Sequence, residues 1–181
     1  MKFKLLILLL HICLLPEMLC AQKKIDRWWI NQAVGAGTFK DDDLRQKLVT
    51  STGLYVQQKH VYAGFNFGTR IHVSPKTNDV NSSLIEINGI FGISTTNNNF
   101  YANAGSGFSL LYYNVTTLQV TQFSTSYTSK SMLSPGLPAQ AEFGLNINHN
   151  FSIGIQAMGN LNFIQPFGSL LASVRVVRFQ K

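Results

Sequence analysis

LPAQAEFGLNINHNFSIGIQAMGNLNF, residues 137–163, is the stretch from which the rest of the chain can be read. Leu137, Ala139, Ala141, Phe143, Leu145 and Ile147 alternate with Pro138, Gln140, Glu142, Gly144, Asn146 and Asn148. After a His149-Asn150 corner, Phe151, Ile153, Ile155 and Ala157 alternate with Ser152, Gly154, Gln156 and Met158. Successive side chains of a strand point to opposite faces. The segment therefore reads as two antiparallel strands, with one apolar face and one polar or small face.

The same rhythm recurs outward from this hairpin. Strands are expected over Trp28–Thr38, Thr50–Gln58, His60–Val73, Ser83–Ser94, Phe100–Val115, Leu137–Asn148, Phe151–Phe163 and Gly168–Phe179. In the third, Val61, Ala63, Phe65, Phe67, Thr69 and Ile71 oppose Tyr62, Gly64, Asn66, Gly68, Arg70 and His72. In the fourth, Ile85, Ile87, Gly89, Phe91 and Ile93 oppose Glu86, Asn88, Ile90, Gly92 and Ser94. The eighth slips near Val177, which a β-bulge would explain. No stretch repeats at 3.6 residues, and the abundant Gly, Asn, Thr and Ser disfavour helix.

The connections between these strands are sorted by length. The first holds Asp41, Asp42 and Asp43, the third spans Pro75–Ser82, and the fifth, Thr116–Gly136, reads as the longest loop. The second, fourth and sixth are tight: a residue or so at Lys59, an Asn-rich turn over Thr95–Asn99, and His149-Asn150. A soluble sandwich has no reason to sort loops by parity. A barrel in an outer membrane does, with short periplasmic turns and longer external loops. The expected fold is thus all-β, an eight-stranded antiparallel up-and-down transmembrane β-barrel with both termini periplasmic. Aromatics near strand ends fit interfacial girdles: Trp28, Trp29, Phe100, Tyr101, Phe151 and Phe179 on the turn side, with Phe39, Tyr112, Tyr113, Phe163 and Phe167 on the loop side.

The N-terminus agrees with that destination. Lys2 and Lys4 precede an apolar run from Leu5 to Leu15, and Leu19-Cys20-Ala21 supplies a small residue at a cleavage position. This reads as a signal peptide over 1–21 and one barrel domain over 22–181. The apolar run is too short for a spanning helix, which needs about 20 residues. Lipidation at Cys20 is the weaker reading, because Leu19 is a poor residue before a lipidated cysteine. The chain's two cysteines, Cys13 and Cys20, both fall in the signal, so the mature chain is expected to use neither disulfides nor thiol or zinc-thiolate chemistry.

The chain carries 15 basic and 8 acidic residues, a net +7. Without Lys2, Lys4 and Glu17, 13 basic and 7 acidic residues remain, a net +6. The cations are scattered or gathered at loops and ends, which disfavours nucleic acid and suits anionic lipid or lipopolysaccharide phosphate.

From Trp28 to Phe179 the chain resembles the small outer-membrane β-barrel proteins of Bacteroidota-type bacteria. The resemblance rests on Trp28-Trp29 opening the first strand, Phe100-Tyr101-Ala102-Asn103-Ala104-Gly105-Ser106-Gly107, the Gly136-Leu137-Pro138 entry to a strand, and Gly159-Asn160-Leu161-Asn162. The Ala21-Gln22 junction also looks like signal cleavage sites common there. Phe179 departs from the pattern by standing two residues before the end, where many such barrels finish on an aromatic. The resemblance implies an outer-membrane location and dependence on the barrel assembly machinery. It implies no activity.

Four charges fall on the polar face within strands: Arg70, Glu86, Glu142 and Arg175. A charge facing lipid at the midplane costs about 2–4 kcal/mol, so these are expected inside, as a structural ion-pair network plugging the lumen. A proton relay or polar conduit is the functional alternative. Catalysis is not expected: His72 is the one mature histidine well inside a predicted strand, and no Gly-x-Ser-x-Gly elbow accompanies it. The Asp41-Asp42-Asp43 run lacks the spacing of a calcium loop and reads as solvated surface. No metal or cofactor is implied.

The function expected is a structural or surface-interaction role through the loops, whose ligand the sequence does not name. A soluble barrel binding an apolar ligand is the alternative, since inverting a barrel swaps its faces. Phe65, Phe143 and Ile155 decide between them by pointing outward or inward. A pore is disfavoured by the narrow lumen of eight strands.

Overall fold

The computed structural model describes residues 25–39, 47–72, 81–120, 125–164 and 166–179. Eight strands run in chain order: β1 (Arg27–Phe39), β2 (Lys47–Gln58), β3 (Val61–His72), β4 (Asn81–Thr96), β5 (Phe100–Val120), β6 (Thr125–Asn148), β7 (Phe151–Asn162) and β8 (Phe167–Phe179). Each pairs antiparallel with its neighbour in sequence, and β1 pairs with β8 to close the barrel. Closure leaves the wall without a free edge, which a sheet in hydrocarbon requires.

The side chains sort as the alternation predicts. Outward positions are apolar: Phe65 is 73% exposed, Phe143 58% and Ile155 60%. Inward positions bury Asn31, Ser51, Asn66, Asn88, Ser109, Gln140, Gln156 and Asn160. The soluble alternative required the reverse. Among the described residues the lumen also holds three small apolar clusters, so it is not purely polar. Trp29, Tyr55, Tyr62, Ile90 and Val177 form one; Ala33, Val49, Met158 and Leu171 another; Leu84, Leu111 and Phe167 a third.

Asparagines make the turns. Asn97 Oδ1 accepts from the backbone N–H of Asn99 at 2.9 Å and of Phe100 at 2.8 Å, and Asn148 Oδ1 accepts from Asn150 at 2.9 Å. Such side chains stand in for the backbone in a tight reversal. Lys59, at the β2–β3 turn, takes the left-handed conformation with φ 53°. Its N–H is held by Asp26 Oδ2 at 2.5 Å, which ties the turn to the chain before β1.

Three sequence expectations need correction. Thr116–Gly136 is not a long loop, because β5 continues to Val120 and β6 starts at Thr125, with Val120 opposite Thr125. Residues 126–131 are exposed on both faces, and the segment is rich in Ser and Thr. It therefore lacks the hydrophobic alternation that marks a half-buried strand. No bulge occurs at Val177: pairing of β8 with β1 runs unbroken, and Val177 turns inward to join the Trp29 cluster. The irregularity lies instead between Asn146 and Asn148 in β6. Finally, Trp29, Tyr101 and Phe167 are not girdle residues; all three are buried in the lumen. Phe100 and Tyr112 do face outward.

Loop length still sorts by parity. Connections one, three, five and seven span seven, eight, four and four residues, against two, three and two for the others. Asp41, Asp42 and Asp43 lie outside the described residues, as does the N-terminal segment with Cys13 and Cys20.

Candidate functional site

Two features could carry function: the filled lumen and the extension of β5 and β6. The four charges singled out from sequence form two separate pairs. At the loop end, Arg70 Nη2 meets Glu86 Oε1 at 3.0 Å, with both side chains at most 2% exposed. Arg70 Nη1 also donates to Ser169 Oγ, and its guanidinium stacks over Phe167, 3.7 Å from the ring centroid. Glu86 fits because Gly68 lies opposite it: a Cβ there would come within 2.5 Å of Glu86 Oε1.

At the turn end, Arg175 Nη2 meets Glu142 Oε2 at 2.5 Å. Glu142 also accepts from Tyr101 Oη at 2.9 Å, Ser173 Oγ at 2.8 Å and Asn103 Nδ2 at 3.2 Å. Arg175 lies over two rings, 3.7 Å from the Tyr101 centroid and 4.7 Å from that of Trp29. Trp29 in turn stacks on Tyr55 at 5.3 Å, and Tyr62 meets both rings at 5.7 Å. A buried charge is tolerable when a counter-ion faces it, and each arginine here has its carboxylate and a ring beneath it, although Arg70 Nε and Arg175 Nε are buried without an acceptor among the described residues.

A neutral relay of amides and hydroxyls occupies the lumen as well. Asn31 donates to Gln156 at 3.2 Å, Gln156 to Gln140 at 3.2 Å, and Gln140 to Tyr62 Oη at 3.1 Å. Tyr55 Oη donates to Gln140 and accepts from Asn66, which also donates to Ser51 at 2.6 Å. Large side chains, including Trp29, Arg70, Arg175, Tyr55, Tyr62 and Tyr101, are almost wholly buried here. Side chains rather than a channel thus fill the interior of these eight strands.

Sequence reasoning missed Arg27. It is buried, donates through Nε to Gln57 Oε1 at 2.7 Å and through Nη2 to Ser94 Oγ at 3.3 Å, and lies 5.8 Å from the Trp29 ring centroid. The signal was present, since Arg27 is in phase with Trp29, Asn31 and Ala33 on the inward face.

β5 pairs with β4 only as far as Thr116, and β6 pairs with β7 only from Gly136 onward. Beyond those points β5 and β6 pair with each other alone. Residues 125–135 of β6 thus form a strand edge of roughly 36 Å, at about 3.3 Å per residue. Ser126 to Ser131 are all exposed, and Tyr127 is 75% exposed. Tyr112 Oη donates to Ser131 Oγ at 3.0 Å, and Ser129 Oγ donates to Asn114 Oδ1 at 2.9 Å, bracing the ribbon. Among the described residues, no three His, Cys, Asp or Glu side chains converge as metal ligands would. His72 closes β3, and its side chain is outside those described.

No family model matches the chain, and no curated protein matches it in sequence. Solved structures match its shape. Ail, the attachment invasion locus protein of Yersinia pestis, superimposes with a TM-score of 0.62 at 10% identity, covering 86% of this chain and 100% of Ail. Ail in complex with the heparin analogue sucrose octasulfate gives 0.59 at 11% identity over the same shares. Neisserial surface protein A gives 0.56 at 14% identity, covering 83% of this chain and 95% of that one. At such identities the likeness is one of fold. With its apolar outer wall and polar interior, the chain has the fold of the small eight-stranded transmembrane barrels of outer membranes.

Proposed function

We propose that the chain is an integral outer-membrane barrel with a structural or surface-interaction role and no catalytic activity. The observation that carries this is the inside-out sorting of side chains: a largely apolar wall around a lumen filled with polar and aromatic side chains and two charge pairs. Exposed Phe65, Phe143 and Ile155 have no favourable environment in water and a good one in lipid. In this reading a signal peptide is removed near Ala21, residues 22–181 are mature, and both termini are periplasmic. The barrel assembly machinery inserts it, and the source is a Bacteroidota-type bacterium.

Arg70, Glu86, Glu142 and Arg175 then act structurally, bracing the wall from within and closing the lumen to ions. Contact with the outside falls to the loop end, where the β5–β6 ribbon rises beyond its neighbours. The net positive charge favours lipopolysaccharide phosphate or another polyanion. Lys130 on the exposed ribbon and the sulfated ligand held by Ail support that chemistry.

Fractionation tests the location. The chain should sediment with outer membrane and shift in mobility between unboiled and boiled gel samples. Protease added to intact cells should cut within residues 121–131 and leave the remainder protected. Recovery as a soluble periplasmic monomer would overturn the reading.

A further inference from the structure

The outer wall is largely apolar along its middle, and its hydroxyls there are satisfied within the wall, Ser106 by the Pro138 carbonyl at 2.9 Å and Thr50 by Thr69 at 2.7 Å; one residue differs. Gln32 is sixth of the thirteen residues of β1 and points outward. Ile30 and Val34 flank it along the strand, and Thr52 and Val174 are its cross-strand neighbours. Among the described outward positions it is the one amide away from the strand ends, since Gln58 stands at an end and Asn114 beside the ribbon.

Its hydrogen bonding is half complete. Thr52 Oγ1 donates to Gln32 Oε1 at 2.6 Å. The two Nε2 N–H donors have no acceptor among the described residues and face the hydrocarbon. An unpaired polar group in hydrocarbon costs several kcal/mol per group. With an apolar band about 25 Å tall, lipid carbonyls and phosphates lie roughly 12 Å away, beyond the reach of a glutamine side chain. An acceptor at that depth must come from protein.

Resting on the membrane reading above, we propose that the chain pairs with a second copy of itself through the β8–β1–β2 face. The Gln32 amides then hydrogen-bond to each other across a two-fold axis. An amide carries donor and acceptor in one planar group, so two of them facing each other make two reciprocal bonds. Thr52 takes one lone pair of Oε1 and leaves the other for the partner. A two-fold interface brings the same residue of each copy together, the arrangement a single self-complementary group needs.

The surroundings permit close approach. Ala36, Thr50, Thr52 and Ala172 are small and share this outward face, and Thr50 is already satisfied by Thr69 at 2.7 Å. Small residues around a polar group are what brings membrane surfaces together, where lipid gives no hydrophobic drive between proteins.

The full chain, refolded into phosphatidylcholine vesicles over a range of protein-to-lipid ratios, tests this by single-molecule photobleaching. Heat-modifiable gel mobility reports insertion separately, so a failure to insert is distinguishable from a failure to pair. Wild type should shift from monomer to dimer with density, and Gln32→Leu should weaken pairing by about fivefold to tenfold while inserting normally. In chains lacking Cys13 and Cys20, Gln32→Cys should give a disulfide-linked homodimer. Leu110→Cys, on β5 across the barrel from β1, should not. Monomer at every density, undiminished pairing of Gln32→Leu, equal cross-linking of Leu110→Cys, or cross-linking of Gln32→Cys to a different protein in native membranes would each overturn the proposal.

Discussion

At the turn end of the lumen, Glu142 accepts hydrogen bonds from Arg175, Tyr101, Ser173 and Asn103. At the loop end, Glu86 accepts from Arg70 alone among the described residues. Both arginines lie over an aromatic ring, Arg175 over Tyr101 and Trp29, Arg70 over Phe167. The same charge pair is therefore held in two ways. One carboxylate is embedded in a hydrogen-bonded cluster drawn from three strands. The other relies on one ion pair, with the cation shared between a hydroxyl and a ring. A pair of the second kind can be exchanged for apolar residues at little cost, whereas one of the first kind leaves other polar groups stranded.

Denaturant unfolding of the refolded barrel in vesicles can break or sharpen this contrast. Glu142→Leu should have the largest effect, a loss of about 4 kcal/mol, because it leaves Arg175 buried without its counter-ion and strands three further donors. Glu86→Leu should cost about 3 kcal/mol, since Arg70 keeps Ser169 and Phe167. Equal losses would erase the difference between the two ends.

Double variants separate them further. Arg175→Met with Glu142→Leu should still cost about 2 kcal/mol, because Tyr101, Asn103 and Ser173 lose their acceptor. Arg70→Met with Glu86→Leu should return to within about 1 kcal/mol of wild type, as both charges leave together. Smallest of all, replacing residues 118–127 with an Asn-Gly turn should change barrel stability by under about 0.5 kcal/mol, since residues 118–120 and 125–127 pair only with each other. A larger loss there would mean that the ribbon braces the loop end.

Much of the fold was legible in residues. Phe65, Phe143 and Ile155 alternate with Gly64, Asn66, Glu142, Gly144 and Gln156, and a period of two is a direct readout of which face each side chain joins. The inward placement of Arg70 and Glu86 follows from the same phase. The ribbon was not legible. Ser126 to Ser131 meet water on both faces, so no hydrophobic contrast marks them as a strand. Trp29 and Tyr101 misled because aromatics at strand ends favour membrane interfaces in general. Here their phase turns them inward, where inward-facing Gly144 leaves room: a Cβ on it would sit 2.5 Å from the Tyr101 ring.

What the sequence by itself determined is the sorting of inside from outside, because alternation is local and needs only the pleat of each strand. Which inward residues meet was decided by tertiary structure. Arg70 reaches Glu86 across adjacent strands, but Arg175 on β8 reaches Glu142 on β6 past the intervening β7. That meeting depends on strand stagger and on β1 closing against β8, which together set how the wall curves around the lumen. No local pattern encodes a distance across a closed ring, so only closure could bring Arg175 to Glu142.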